Sequence, residues 1–219
     1  MTQKNSQQLI VFIKAPVTGQ CKTRLIPLLG AEQACAFYKT LVTHCLKQLK
    51  GLSHTDIAIY ATPRTQHPFI QALNKQNEYA LHTQQGNNLG ERMYAAIQTS
   101  LQYYSKTVLI GSDCPPINQK YIQQAFNALK QCDIVFGPAE DGGYVLIGAN
   151  KIEPLVFENI NWGSHQVLQQ SLNNCQTSAY NTHLLDTLWD IDTPEDYKRR
   201  IQYNHTTHTG VNNGSATGR

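Results

Sequence analysis

Lys14, Lys22 and Arg24 stand close together in the stretch LIVFIKAPVTGQCKTRLIPLLG, Leu9 to Gly30. A run of apolar and β-branched residues ends at Lys14, a loop containing Pro16 and Gly19 follows, and Lys22-Thr23-Arg24 closes it. Cations on a loop whose glycine frees backbone N–H groups suit a phosphate or pyrophosphate. A P-loop is excluded: Gly19 precedes Lys22-Thr23, but Ala15 or Pro16 holds the earlier glycine position. Lys14 ends a strand expected to be buried, where a cation is costly without an anionic partner. The competing reading is a solvated basic loop that binds nothing.

Carboxylates supply the complementary chemistry. Asp113 follows an apolar run in IGSDCPP and is placed to hold Mg²⁺ or Mn²⁺ against diphosphate oxygens, or else to cap the next turn. Cys114 beside it has no histidine partner placed by the sequence, so a nucleophile is poorly supported. In WDIDTPEDY, Thr193 serves as helix cap and leaves Asp192 free to join Asp113 as a second ligand, while Asp190 alternates with it and is expected to face away. The competing reading of Asp192 is a turn former. In GPAEDGGYVLIG, Glu140 or Asp141 can act as base, metal ligand or acceptor-binding group, and Gly142-Gly143 let a backbone approach a ligand, although Asp-Gly-Gly also makes a tight turn. Gly90 and Arg92 in NNLGERM open a helix, a favourable place for an anion, or are plain helix residues.

These residues need elements to carry them. Strands are expected at Leu9–Ile13, Asp56–Ala61, Tyr79–His82, Thr107–Asp113 and Cys132–Pro138, and helices at Ala31–Leu49, Pro68–Lys75, Glu91–Tyr104 and Asn118–Gln131, the last capped by Asn118. Alternating strand and helix predicts an α/β fold, a mostly parallel sheet sandwiched by helices. Ligands of such sheets bind at the carboxyl ends of the strands, where Lys14, Asp113 and Pro138 fall. Beyond Pro138, Tyr144–Asn150 reads as an antiparallel neighbour and Gly163–Asn174 as a helix capped by Ser164. Thr187–Asp192 reads as a last strand, and Thr193–Asn204 as a helix with Pro194 first and Asp196 third, a capping box with Asp in place of Glu. Residues 1–204 form one domain, and 205–219, polar and rich in Gly and Thr, read as a disordered tail.

The 219 residues suffice for a sizeable core. A net charge of +3 with no aromatic-interleaved basic cluster argues against nucleic acid as a partner. No apolar run approaches the about 20 residues of a membrane span, and MTQKNSQQ lacks the apolar core of an export signal. Six cysteines without a C-x-x-C pair, and histidines without ligand spacing, argue against zinc and fit a reducing cytoplasm.

Taken in order, FIKAPVTGQCKTRLIPLLG, NNLGERM, IGSDCPP, GPAEDGGYVLIG, NWGSHQVL and DIDTPEDY resemble the radical-SAM/selenodomain-associated transferases, the arsenosugar-biosynthesis type of glycosyltransferase, from Leu9 to about Ile201. The resemblance implies a glycosyltransferase-A-like, nucleotide-diphospho-sugar transferase fold. The Lys-Thr-Arg-Leu loop is also similar to that of 2-phospholactate guanylyltransferases, and Asp-Thr-Pro-Glu-Asp to cytidylyl- and molybdopterin nucleotidyltransferases. By position this implies a nucleotide held by Lys14, Ala15, Pro16, Gly19, Lys22, Arg24, Gly90, Arg92 and Ser112. It implies Mg²⁺ or Mn²⁺ on Asp113 and Asp192, and a small acceptor against Gly142, Gly143, Tyr144 and Trp162. Two departures stand out: the glycosyltransferase Asp-x-Asp reads Asp113-Cys114-Pro115, and the glycine-rich start of nucleotidyltransferases is reduced to Gly19. The expected reaction is sugar transfer from a nucleotide-sugar to a small acceptor, with Lys22 and Arg24 stabilising the leaving diphosphate and Asp141 acting on the acceptor hydroxyl. Nucleotidyl transfer from a nucleoside triphosphate, with release of pyrophosphate, is the rival. A non-catalytic nucleotide-binding protein is the third reading.

Overall fold

The computed structural model describes residues 7–209. The chain begins with β1 (Gln8–Lys14), followed by the cationic loop, a 3₁₀ turn at Thr23–Leu25 and a short helix α1 (Ile26–Leu29). Next come α2 (Ala31–Gln48), β2 (Asp56–Thr62), α3 (Pro68–Asn77), β3 (Ala80–Thr83), α4 (Leu89–Leu101) and β4 (Thr107–Ile110). The second half runs α5 (Gln119–Ala128), β5 (Ile134–Pro138), β6 (Tyr144–Ala149), a 3₁₀ turn at Pro154–Phe157, α6 (Val167–Thr177), β7 (Thr182–Leu184) and α7 (Pro194–Thr209). Seven strands form one sheet in the order β3-β2-β1-β4-β6-β5-β7. Only β6 runs antiparallel, between β4 and β5, so the expected mixed, mostly parallel sheet is what the chain forms.

Period-two burial explains why both faces need helices. Leu9, Val11 and Ile13 of β1 point into a core with Tyr38, Val42 and Leu46 of α2 and Ile122 and Phe126 of α5. Ile10 points the other way, with Ala58, Leu109 and Ile147, onto Met93 and Ile97 of α4 and Cys175 of α6. A strand buried on both faces reads as a continuous apolar run, which is how β1, β4 and β5 are written in the sequence.

Helix starts follow their caps. Asn118 Oδ1 accepts the Tyr121 N–H at 3.1 Å, as its position predicts. Ser164 does not cap α6: the helix starts at Val167 after Gln166, and the Ser164 hydroxyl instead accepts the Gln166 N–H at 3.3 Å in the preceding turn. The expected strand Thr187–Asp192 is not a strand. The segment makes one bridge, Leu188 to Ala139, while the true edge strand β7 lies earlier, beside β5. The last helix continues to Thr209, past the Asn204 expected as its end, and residues 210–219 of the expected tail lie outside the described residues. All six cysteines are buried free thiols, and burial pushes the Cys114 thiol above its ordinary value. No helix among the described residues is long and apolar enough to cross a membrane.

The capping box at the start of α7 is fully formed. Asp196 Oδ2 accepts the Thr193 N–H and hydroxyl, both at 2.7 Å, and the Asp192 N–H at 3.1 Å, while Thr193 Oγ1 accepts the Asp196 N–H at 3.3 Å. Burial alone would raise the Asp196 pKa, but the hydrogen bonds from Thr193 and Asp192 outweigh it and hold the carboxyl below its usual range. A depressed folded-state pKa adds stability above the unfolded value of about 3.9, and that stability is lost as pH falls through the folded-state pKa. Asp196→Ala is therefore expected to cost about 1 kcal/mol at neutral pH. In urea melts its deficit against the wild type should narrow below about pH 4.

Candidate nucleotide-binding active site

The site is built where β1 and β4 end. Lys14 N–H donates to the Tyr38 hydroxyl at 2.9 Å, which fixes the strand end to α2. The Lys14 ammonium is exposed and donates to the Gln20 carbonyl at 2.6 Å, so it closes the base of the loop and does not sit buried beside an anion as the sequence suggested. Gly19 takes φ 79° inside that loop, a conformation that favours glycine. Ala15 and Pro16 are buried, and the Pro16 carbonyl accepts the Cys35 thiol at 3.2 Å.

Lys22 follows in the left-handed region, φ 48° and ψ 46°, which costs a side-chain-bearing residue about 1–2 kcal/mol. That turn carries its side chain inward, to 6% exposure. The ammonium lies 2.7 Å from Asp113 Oδ2 and 3.7 Å from Asp192 Oδ1. Burial would lower the Lys22 pKa, but Asp113 first, then Asp192 and Asp190, more than offset it and hold the ammonium above its ordinary value. Arg24, largely exposed, pairs with the other oxygen of Asp192. Both carboxylates thus converge on one cation, with a second cation at the rim. Buried Ser112, one residue before Asp113, places its hydroxyl 3.4 Å from that of Tyr38.

One backbone contact brings the distant carboxylates to this point. Ile191 N–H donates to the Asp113 carbonyl at 3.1 Å, and buried Ile191 and Trp189 pack with Leu25 and Leu41. Asp190 and Asp192 therefore flank Asp113 on opposite sides. Asp192 serves the cations. Asp190 was expected to face away, yet its side of the segment is also cleft: it lines a cavity of about 160 Å³ with Asp141, Gly143, Tyr144, Trp162 and Met93. Burial first, then the charges of Asp113 and Asp141, push Asp190 up to about 6, and Lys22 pulls it partly back. Alternation along the segment was legible in the sequence. That the segment threads a cleft and is not part of a sheet was not, because no residue pattern marks an extended chain without ladder partners.

Other expected site residues do structural work. Glu140 forms a two-point pair with Arg199, at 2.6 and 3.0 Å, and the Arg199 guanidinium lies 4.4 Å from the centre of the Trp189 ring. The loop before Asp141 is thereby tied to α7. Asp141 Oδ1 accepts the Gly143 N–H at 2.8 Å, which leaves Oδ2 for a ligand. Gly90 is buried, and a Cβ there would meet Trp162 at 2.7 Å and Phe157 at 2.9 Å, so its smallness serves packing. Asn88 and Glu91 cap α4 reciprocally, with Glu91 Oε2 on the Asn87 N–H at 2.8 Å, and Arg92 Nε donates to the Gly86 carbonyl at 3.0 Å. The α4 N-terminus therefore already holds a carboxylate where an anion was expected. Trp162 and Tyr144 meet edge to face, 6.5 Å between ring centres, and wall the acidic cavity. Missed by the sequence reading was Gln84, whose amide donates to the Tyr60 carbonyl at 2.9 Å and the Ile13 carbonyl at 3.4 Å at the ends of β2 and β1.

A cationic pair beside carboxylates at the carboxyl edge of this sheet is where relatives become informative. Residues 45–164 match the family described as uncharacterized protein conserved in bacteria (DUF2064). The chain belongs to that family. A crystal structure of a candidate nucleotide-diphospho-sugar transferase from Desulfovibrio desulfuricans G20 is 32% identical, with a TM-score of 0.78 over 85% of this chain and 82% of that one. The chain shares its fold also with the 4-diphosphocytidyl-2C-methyl-D-erythritol synthase of Anaerococcus prevotii, at 10% identity and a TM-score of 0.60 over 92% and 96% of the two chains. In sequence it is 24% identical over 193 residues to the 2-phospho-L-lactate guanylyltransferase of Methanobrevibacter smithii, covering 87% of this chain and 82% of that protein.

Gly142 limits what the loop after Asp141 can tolerate. It takes φ 87°, and a Cβ would stand 2.1 Å from the His165 carbonyl oxygen. Gly142→Ala adds left-handed strain of about 1–2 kcal/mol to overpacking of about 1–3 kcal/mol. Denaturant unfolding should accordingly show a loss of about 2–5 kcal/mol, whereas Gly19→Ala, with open space around its Cβ, should lose only the strain.

Proposed function

We propose that this protein is a transferase acting on a nucleotide-activated donor, and that it moves a sugar from a nucleotide-sugar to the hydroxyl of a small, unphosphorylated acceptor. The fold, the 32% identical nucleotide-diphospho-sugar transferase-like relative and the guanylyltransferase named above support a nucleotide-activated donor. The charge of the cavity beside Asp113 carries the choice of acceptor. Asp141 and Asp190 line it with Trp162 and Tyr144, and no cation lines it among the described residues. A phosphorylated acceptor would bring negative charge against two carboxylates. A neutral polyol finds hydrogen-bond acceptors and an aromatic wall.

In this reading Lys22 and Arg24 hold the donor diphosphate and stabilise the charge that develops as it leaves. The anomeric carbon–oxygen bond to the diphosphate breaks, the acceptor oxygen forms the new bond, and Asp141 takes the hydroxyl proton at Oδ2. Asp190 orients the acceptor from the opposite wall. Asp113 and Asp192 converge on the Lys22 ammonium; with Lys22 drawn off to the donor phosphates, the two carboxylates would hold Mg²⁺ or Mn²⁺, and substrate phosphates and water would complete the shell. Among the described residues no group of three or more His, Cys, Asp or Glu side chains is placed to hold a metal ion. Such an ion would supply charge neutralisation at the diphosphate.

Nucleotidyl transfer is the second reading, favoured by the guanylyltransferase relative. The two differ in product. Phosphorus NMR of the protein with Mg²⁺ and a polyol acceptor mixture, run in parallel with a panel of nucleotide-sugars and with the nucleoside triphosphates, is expected to show a free nucleoside diphosphate from a nucleotide-sugar. Pyrophosphate released from a nucleoside triphosphate would replace the sugar-transfer reading. Asp113→Asn should lower kcat by roughly 10²–10³-fold, the scale of losing one preorganised charge-stabilising group, and EDTA should abolish turnover of the wild type.

A further inference from the structure

A second cavity, of about 620 Å³, lies between α2 and α7, and neither Lys22, Arg24, Asp113 nor Asp192 lines it. It falls in the range of small-molecule sites. Phe37, Leu41 and Tyr197 form apolar walls, the first and last packed edge to face at 4.8 Å. Lys39, His44, Lys47 and Arg200 form the polar lining, and no carboxylate lines it among the described residues. His44 and Lys47 lie three apart on one helix with Lys39 upstream on the same helix, and Arg200 comes from the other. Arg200 is 9% exposed and forms part of the floor of an open groove. The charges of Arg200 and Lys47 act on the His44 ring, whose pKa is lowered by burial first and then by these two cations. Lys39 and Lys47 give this concavity a positive potential that an anion meets favourably.

We propose that this groove is a binding site for a soluble organic phosphate, an aromatic or apolar body carrying a phosphomonoester. The cations take the phosphate, and Phe37, Leu41 and Tyr197 take the body. The site is separate from the Lys22–Arg24 cluster, and the proposal does not depend on which transfer reaction occurs there.

Amide NMR titration of the full chain with phenyl phosphate, and in parallel with inorganic phosphate, tests it. Saturable shifts at Thr40, Thr43 and Tyr197 are expected, several-fold tighter for phenyl phosphate and retained in Lys22→Ala. The exposed-face double variant Lys39→Glu/Lys47→Glu should bind roughly tenfold more weakly, the effect of removing charge-assisted hydrogen bonds. Its thermal unfolding should stay near that of the wild type. Arg200→Gln, read the same way, guards against a folding defect in the double variant. Shifts confined to the Lys22–Arg24 loop, non-saturating shifts, or unchanged affinity in both variants would overturn the site. The phosphate could also be a lipid headgroup. Co-sedimentation of the wild type with phosphatidylcholine vesicles containing phosphatidic acid, lost in the double variant, would overturn the soluble ligand.

Discussion

The Lys22 ammonium, buried between Asp113 and Asp192, is the constraint around which the carboxyl edge of the sheet is arranged. A desolvated lysine is tolerated only with carboxylates close at hand, and here they come from the end of β4 and from a segment 168 residues beyond Arg24. Lys22 accepts left-handed backbone strain to reach them. Lys14 holds the loop shut behind it through the Gln20 carbonyl. The loop is thus tensioned at its base by one lysine and anchored at its tip by the other, and the exposed arginine is left at the mouth.

The same pairing bears on the Asp-x-Asp that the sequence resemblance led one to expect. Pro115 stands where its second carboxylate would be. The hydrogen bond from Ile191 to the Asp113 carbonyl brings Asp190 and Asp192 alongside instead, one on each side. A local motif is replaced by a tertiary one. Its stability rests on the packing of Trp189 and Ile191 against Leu25 and Leu41, and on the Arg199 pair with Glu140 that ties the acceptor loop to α7.

What the sequence made legible follows from what is local. Strands buried on both faces, helices with a repeating apolar stripe and the caps at Asn118 and Thr193 all announce themselves within a few residues. Lys22 and Arg24 could be singled out as cations on a glycine-containing loop, Asp113 because it follows an apolar run, and Asp192 because Thr193 takes the helix cap and leaves it free. Lys14 was misjudged because a long side chain can leave a buried strand and place its ammonium at the surface. For Asp190, alternation gave the direction without saying what lies in it. Ser164 was misjudged as a cap because the close approach of Gly142 to His165 and Leu168 fixes that turn, and none of those contacts is local.

Two sides of opposite charge then share one cleft. In the proposed reading, the cations at Lys22 and Arg24 favour the diphosphate end of a donor, while Asp141 and Asp190 disfavour a second anion at the acceptor end. Such an arrangement sets the orientation of a donor before any specific contact to its base or sugar, because the reversed pose places phosphate against carboxylate. Asp113 sits between the two sides and couples them: its charge raises the pKa of Asp190 and holds the Lys22 ammonium. A donor that draws Lys22 toward its phosphates would leave Asp113 less neutralised, and the same charge would then press harder on Asp190. The donor and acceptor halves of the cleft are linked through one carboxylate.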